Sequence, residues 1–190
     1  MMEKKKRKIP ELLVPAGGYE QLRAAVANGA DAVYLSGSSF NARINADNFN
    51  DETLADAVRF AHEHGVRVHV TLNTLIREEE REDAVRFAEK CRDLGADALI
   101  VADAGLACAL RAAIPGVEIH LSTQAGAHSE GAVRLAADEL GVERVTTARE
   151  LTVDEIAALC ATGVPIEVFC HGAICIGYSG ACEFSALRRG

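Results

Sequence analysis

From residue 11 onward the chain alternates short β-rich runs with amphipathic helical patterns, and this cadence of βα units constrains its fold more than any other feature. The strand candidates are residues 11–16, 31–36, 67–73, 98–103, 118–123, 143–148 and 166–171. Helices are expected between them at 19–28, 51–64, 78–94, 105–113, 129–140 and 152–162. Several helical patterns run into a glycine suited to a left-handed cap: Gly29, Gly65, Gly95, Gly141 and Gly163. The joint Gly29-Ala-Asp-Ala-Val-Tyr-Leu35 returns as Gly95-Ala-Asp-Ala-Leu-Ile-Val101, an internal echo of the kind a repeated βα barrel leaves.

Side chains on a strand alternate between its two faces. In the third run Val66, Val68, Val70 and Leu72 share one face, and Arg67, His69, Thr71 and Asn73 the other. In the fifth, Ile119 and Leu121 oppose Glu118, His120 and Ser122; in the seventh, Ile166, Val168 and Cys170 oppose Glu167, Phe169 and His171. An open doubly wound sheet is covered on both faces and reads as nearly continuous aliphatic runs, whereas a barrel aims its second face at its own axis. The polar second face therefore favours an α/β fold of the (β/α) TIM-barrel type. Such a barrel has eight strands in about 250 residues. Seven strand candidates in 190 residues, with no room after Gly172 for another helix and strand, set the expectation of an incomplete barrel truncated at its carboxyl-terminal end. Its first and seventh strands would be open edges, able to pair with another copy or another chain.

Composition agrees with one globular domain, 49% hydrophobic and 25% charged. No window approaches 18 uncharged apolar residues and the amino terminus lacks a signal core, so a cytoplasmic protein without membrane contact is expected. The net charge of -8 is unevenly spread. Lys4, Lys5, Lys6, Arg7 and Lys8 against Glu3 make residues 1–8 a basic tail, expected to be solvated and disordered, while residues 9–190, the barrel domain, carry -12. That body lacks the dense basic face a nucleic-acid binder turns to phosphates, so RNA contact, if through this chain, is open only to the tail.

In a barrel of this type the reactive groups sit at the carboxyl ends of the strands. Those ends carry Ser36, Asn73, Asp103, Ser122, Thr123, Gln124, Arg149, Glu150 and His171. Asp103 and Ser129 are expected to cap helices, and Thr123 is either a cap or a site residue. The charges at strand beginnings, Glu11, Arg67, Glu118 and Glu167, fall in the opposite layer and are expected to pair with one another. His120 lies mid-strand as an interior histidine, while His62, His64 and His128 read as helix-surface residues. A long polar loop, 40–49, follows the second strand, and Arg43 in it offers a guanidinium fork to a carboxylate or phosphate.

Six cysteines without a secretory signal point to buried thiols, metal ligands or redox chemistry rather than disulfides. Cys91, Cys108 and Cys160 fall in helical patterns, and Cys170 shares the helix-facing side of its strand with Val168, which reads as core. Cys175 and Cys182, separated by six residues in the Gly-rich run His171-Gly-Ala-Ile-Cys175-Ile-Gly-Tyr178-Ser-Gly-Ala-Cys182, are either metal ligands or packing residues. No nucleophile elbow, zinc-protease helix or phosphate-cradling glycine loop is present.

Several segments together resemble a known family. They are Glu11-Leu-Leu-Val-Pro-Ala-Gly17, Gly29–Leu35, Phe40-x-x-Arg43-x-x-Ala46-x-Asn48-Phe49, Val70-Thr-Leu-Asn73-Thr, His120-Leu-Ser-Thr-Gln124, Ala148-Arg-Glu-Leu151 and Glu167–Cys182. The chain is similar to the collagenase-like peptidases of unclassified catalytic mechanism, a family that also includes RNA and ubiquinone hydroxylation proteins. The resemblance implies a modified barrel and, in the hydroxylation branches, a 4Fe-4S cluster on four cysteines. Cys175 and Cys182 match the first two; the other two family cysteines lie beyond Gly190. It further implies prephenate as oxygen source and tRNA, rRNA or a quinone precursor as substrate.

Two chemistries are thus in competition. The cysteine pair favours iron-sulfur-dependent hydroxylation of an RNA base or a quinone precursor, and the lack of a nucleophile-base pair disfavours peptidase action on a collagen-like substrate. On either reading His171, Glu150 and Arg149 are the candidate catalytic groups, with Arg43, Asn48, Asn73, Gln124 and Tyr178 lining the substrate mouth. A hydrolase would use His171 or Glu150 to activate water at a bound metal. A third reading is a non-catalytic half-barrel that docks on a partner.

Overall fold

A computed structural model describes residues 9–42, 48–172 and 175–182. The basic run 1–8 and the candidate Arg43 lie outside these residues. The elements follow in strict alternation: β1 (Leu13–Pro15), α1 (Tyr19–Ala27), β2 (Ala32–Ser36), α2 (Asp51–Glu63), β3 (Arg67–Leu72), α3 (Arg81–Asp93), β4 (Ala98–Val101), α4 (Ala104–Ala113), β5 (Glu118–Leu121), α5 (Glu130–Asp138), β6 (Arg144–Thr146), α6 (Val153–Cys160) and β7 (Ile166–Glu167). A 3-10 turn at Glu78–Glu80 leads into α3, and another, Thr123–Ala125, follows β5.

Four helices start where a short polar side chain satisfies a first-turn N–H. Asn50 accepts from Thr53 N at 2.9 Å, Asp103 from Leu106 N at 2.8 Å and Ser129 from Ala132 N at 3.3 Å. Thr152 and Glu155 cap each other reciprocally at the start of α6. The sequence echo has a structural cause. Gly29 and Gly95 turn the chain out of their helices at φ 84° and 94°, a conformation open to glycine. The aspartate two residues on then accepts a backbone N–H from the neighbouring strand segment: Asp31 from Leu12 N at 2.8 Å, Asp97 from Val68 N at 2.7 Å.

All seven strands run parallel in the order β1-β2-β3-β4-β5-β6-β7. The outer face packs Val33, Leu35, Val68, Val70, Leu72, Leu99, Val101, Ile119, Leu121 and Val145 against helix residues such as Leu22, Leu54, Val58, Leu106, Leu110 and Val133. In a flat sheet, β1 and β6 would stand about 24 Å apart, five strand spacings. Yet Glu11, at the foot of β1, accepts from Arg144 of β6 at 2.6 Å, so the sheet must curl towards closure. The fold is a TIM-like barrel of seven strands, open between β1 and β7 among the described residues.

The polar face lines the inside of the curl, as strand alternation requires. At its foot Arg67 reaches Glu11 at 3.5 Å and Glu118 at 3.0 Å, while Arg144 reaches Glu11 and, at 3.6 Å, Glu167. The strand-foot charges therefore pair as expected, with Arg144 an addition. Above them His69 and His120 are wholly buried with their rings edge to face, 4.9 Å apart. His120 Nε2 lies 2.9 Å from Glu118 Oε2, and neither nitrogen of His69 has a hydrogen-bond partner among the described residues.

One expectation fails at the seventh strand. It pairs over only two residues, and beyond it Val168 and Cys170 are exposed rather than core. The alternation was correct but had nothing to face: β7 is the sheet edge, with no helix laid over it among the described residues.

Removing Arg144 strands two partly buried carboxylates, so Arg144→Met should cost about 2–4 kcal/mol of unfolding free energy in urea. The buried histidines predict an acid-sensitive fold. Burial, reinforced by His120 and the two arginines, lowers His69 to about 3. Burial also lowers His120, to about 4, against the Glu118 hydrogen bond. Both are neutral when folded and protonate near the ordinary histidine value when unfolded, so stability is full above pH ~6.5 and falls as pH drops below it. Each contributes up to ~1.4 kcal/mol per pH unit. Burial raises Glu167, which offsets part of this loss at the acid end. Urea midpoints from pH 7 to 5 should show the decline, and His69→Asn should roughly halve its slope.

Candidate active site at the strand carboxyl ends

The segment after β7 folds back across the barrel mouth. Ser179, 3% exposed, is its anchor. Its hydroxyl accepts from both the backbone N and the Nε of Arg149, each at 3.2 Å, and its own N–H donates to Glu150 Oε1 at 2.8 Å. Next to it, Gly180 (φ 79°) lies against Gly126 (φ 69°) on the turn after β5. A Cβ on Gly180 would stand 2.9 Å from Gly126 Cα and 3.1 Å from Gln124 O. Backbone is thus pressed on backbone, an approach only glycine permits.

The second carboxylate oxygen of Glu150 lies 3.5 Å from His128 Nε2, and His128 Nδ1 lies 2.6 Å from Gly126 O. The His128 ring stacks on Tyr178, centroids 4.9 Å apart and planes within 8°. Burial is the largest single influence on Glu150 and would raise its pKa, but the hydrogen bonds from Ser179 and the local backbone, with the charge of His128, together hold the carboxyl below its ordinary range. Glu150 is thereby a carboxylate that anchors the Ser179 N–H.

Cys175 and Cys182 converge on the glycine between them. A Cβ built on Gly177 would lie 2.9 Å from Cys182 Sγ and 3.7 Å from Cys175 Sγ, so both sulfurs face one Cβ-free point. The Gly177 N–H, followed by the Arg149 side chain, hydrogen-bonds the Cys175 sulfur and lowers its pKa, favouring the thiolate that a soft metal binds. A 4Fe-4S cluster takes four thiolates. The described residues supply half of such a set, and among them no cluster of three or more His, Cys, Asp or Glu is placed to hold a metal.

The sequence candidates therefore divide. Arg149, Glu150, Tyr178, Cys175 and Cys182 come together, with exposed Gln124 beside them on the β5 turn. His171 is exposed just past β7. Asn73 serves the loop after β2 instead, accepting from Ala42 N at 3.0 Å, and Asn48 begins that loop's return at φ 47°. Thr123 donates to Thr147 O at 3.0 Å and ties the mouth turns together. His128, expected on a helix surface, instead precedes the α5 cap and holds the Tyr178 ring. Sequence reasoning did not single out Ser179 or the Gly126–Gly180 contact; the Gly177-Tyr-Ser-Gly180 run was the only signal, and its partner surface is far away in the chain.

A TIM-like half-barrel whose mouth is crossed by a clamped two-cysteine loop defines the class of protein. The chain belongs to peptidase family U32, whose model matches residues 17–190. It is similar to the 23S rRNA 5-hydroxycytidine synthase of Escherichia coli K12, 41% identical over 181 residues, 95% of this chain and 27% of that one. It is also similar to tRNA hydroxylation protein P1 of Bacillus subtilis 168, 40% identical over 94% of this chain and 42% of that one. A protein named collagenase from Porphyromonas gingivalis W83 is 34% identical over 92% of this chain and 44% of its own. The chain thus spans less than half the length of these curated relatives. The solved structure of a U32 peptidase has the same fold, with a TM-score of 0.65 at 16% identity, covering 88% of this chain and 70% of that one. No helix among the described residues is long and apolar enough to cross a membrane.

The glycine contact makes the clamp testable. Gly180→Ala should lift the loop from the barrel and speed the reaction of Cys175 and Cys182 with an aromatic disulfide reagent severalfold, with the urea midpoint of the barrel nearly unchanged.

Proposed function

We propose that this chain is the barrel portion of an iron-sulfur-dependent RNA hydroxylase, with Cys175 and Cys182 as two of four thiolate ligands to a 4Fe-4S cluster. The observation that carries the reading is the convergence of both sulfurs on the Cβ-free side of Gly177, in a loop locked over the mouth. When bound, the cluster supplies electron transfer at the site. The residues of this chain position it: Ser179 docks the loop, Arg149 links that dock to the Cys175 sulfur, and Glu150 braces Ser179 and His128. Gln124 and Tyr178 face the substrate, and His171 is the remaining candidate proton carrier. Prephenate as oxygen donor, substrate binding by Arg43, Asn48 and Asn73, and a cytoplasmic location belong to the same proposal.

The names of the rRNA and tRNA hydroxylation relatives support an RNA substrate. The acidic body argues for phosphate contacts elsewhere, on the basic run 4–8 or on the additional length of a relative-sized protein. The edges at β1 and β7, unpaired among the described residues, leave room for such added structure, from the same or another chain. Peptide hydrolysis is the second reading, favoured by the relative named collagenase. Against it stands Glu150, one oxygen of which accepts the Ser179 N–H while the other lies 3.5 Å from His128 Nε2.

Iron, acid-labile sulfide and visible absorption of a relative-length form, purified without oxygen, test the proposal together with mass analysis of its RNA. Cys175→Ser should abolish the absorption and the RNA species heavier by one oxygen. An unchanged spectrum overturns the ligand assignment, and gelatin cleavage that survives Cys175→Ser favours the hydrolase.

A further inference from the structure

Tyr178 is 58% exposed, although one face of its ring is covered by His128 in a nearly parallel stack. The opposite face is therefore turned to solvent at the barrel mouth. An aromatic ring serving only as a packing anchor would be buried; this one is presented. Its backing is rigid: His128 is held by Gly126 O through Nδ1, lies against Glu150 through Nε2, and sits directly before the Ser129 cap of α5. Tyr178 itself lies between Gly177, which both sulfurs face, and Ser179, the most firmly held residue of the loop.

A base that is to be modified must leave its stack, and proteins receive such bases on aromatic side chains. We infer that the outer face of Tyr178, backed by His128, is the platform on which the extruded pyrimidine base of the substrate stacks. The inference rests on the RNA reading above and adds to it where the base lies. Stacking tolerates either pyrimidine, because each presents a π-face, so choice between cytosine and uracil must come from groups at the base edge. His128 is a positioning residue here: it touches Tyr178 and not the base.

The chain has three tyrosines, Tyr19, Tyr34 and Tyr178, so ring signals are few enough to follow individually by NMR of tyrosine-labelled protein, with Tyr178→Phe providing the assignment. Titration with cytidine or uridine 5′-monophosphate should move the Tyr178 ring signals upfield and saturably while Tyr19 and Tyr34 stay in place. His128→Ala should weaken this binding about fivefold or more. Tyr178 signals that move no more than those of Tyr19 overturn the platform, as does a preferential response of Tyr178 to gelatin peptides. A shift undiminished in His128→Ala overturns the backing role. The RNA mass analysis reads the other question separately: hydroxylated RNA with an unmoved Tyr178 removes only the platform, whereas a cluster-loaded protein that yields no hydroxylated RNA removes the functional reading.

Discussion

The contact between Glu11 and Arg144 holds the rest of the structure in register with itself. It joins residues 133 apart in sequence and five strands apart in the sheet. Hydrogen bonding between neighbouring strands fixes local register but leaves total curvature open, and a seven-stranded parallel sheet is as compatible with a saddle as with a barrel. The charges at the strand feet remove that freedom. Glu11 shares Arg144 with Glu167 and reaches Arg67, which in turn reaches Glu118, so strands one, three, five, six and seven are tied at one end. Such pairs bring little net stability, because desolvation offsets much of the attraction. What they contribute is a penalty on every geometry that separates them.

Curling at the foot brings the carboxyl ends together at the mouth, and there the device changes from charge to backbone. Ser179 bonds to both Arg149 and Glu150, while Gly180 and Gly126 meet without side chains. The result is a loop whose position is set by three strands' ends rather than by its own sequence. Cysteines on a free loop would sample many separations. On this one they share a single glycine as neighbour, which is the kind of preorganisation a metal or cluster site requires.

Much of this was legible beforehand. All seven strands could be read because period-two alternation is undisturbed in β3 and β5, and helix starts were marked by Asp103 and Ser129. The strand-foot charges could be paired because the alternation put them on one face. Arg144 escaped because β6 is three residues long, too short for a polarity to stand out. Cys170 and Val168 were misplaced because alternation gives a direction without saying whether anything covers it. His128 was misread since a histidine next to a helix start looks like a surface residue until the loop that stacks on it is placed. Ser179 and the glycine pair depend on contacts between segments about 30 to 55 residues apart, which no local pattern records.

The open edge and the cysteine loop are connected. After β7 the described chain turns inward, towards the ends of β6 and β5: Thr147 N donates to Glu167 O at 3.0 Å, and the loop then reaches Arg149, Glu150 and Gly126. Each step moves it back over strands already laid down. The path carries Cys175, Tyr178 and Cys182 across the mouth instead of along the rim, and among the described residues nothing covers the outer side of the short β7. The turn that leaves the outer side of β7 uncovered among the described residues is therefore the same one that carries the two thiols to the mouth.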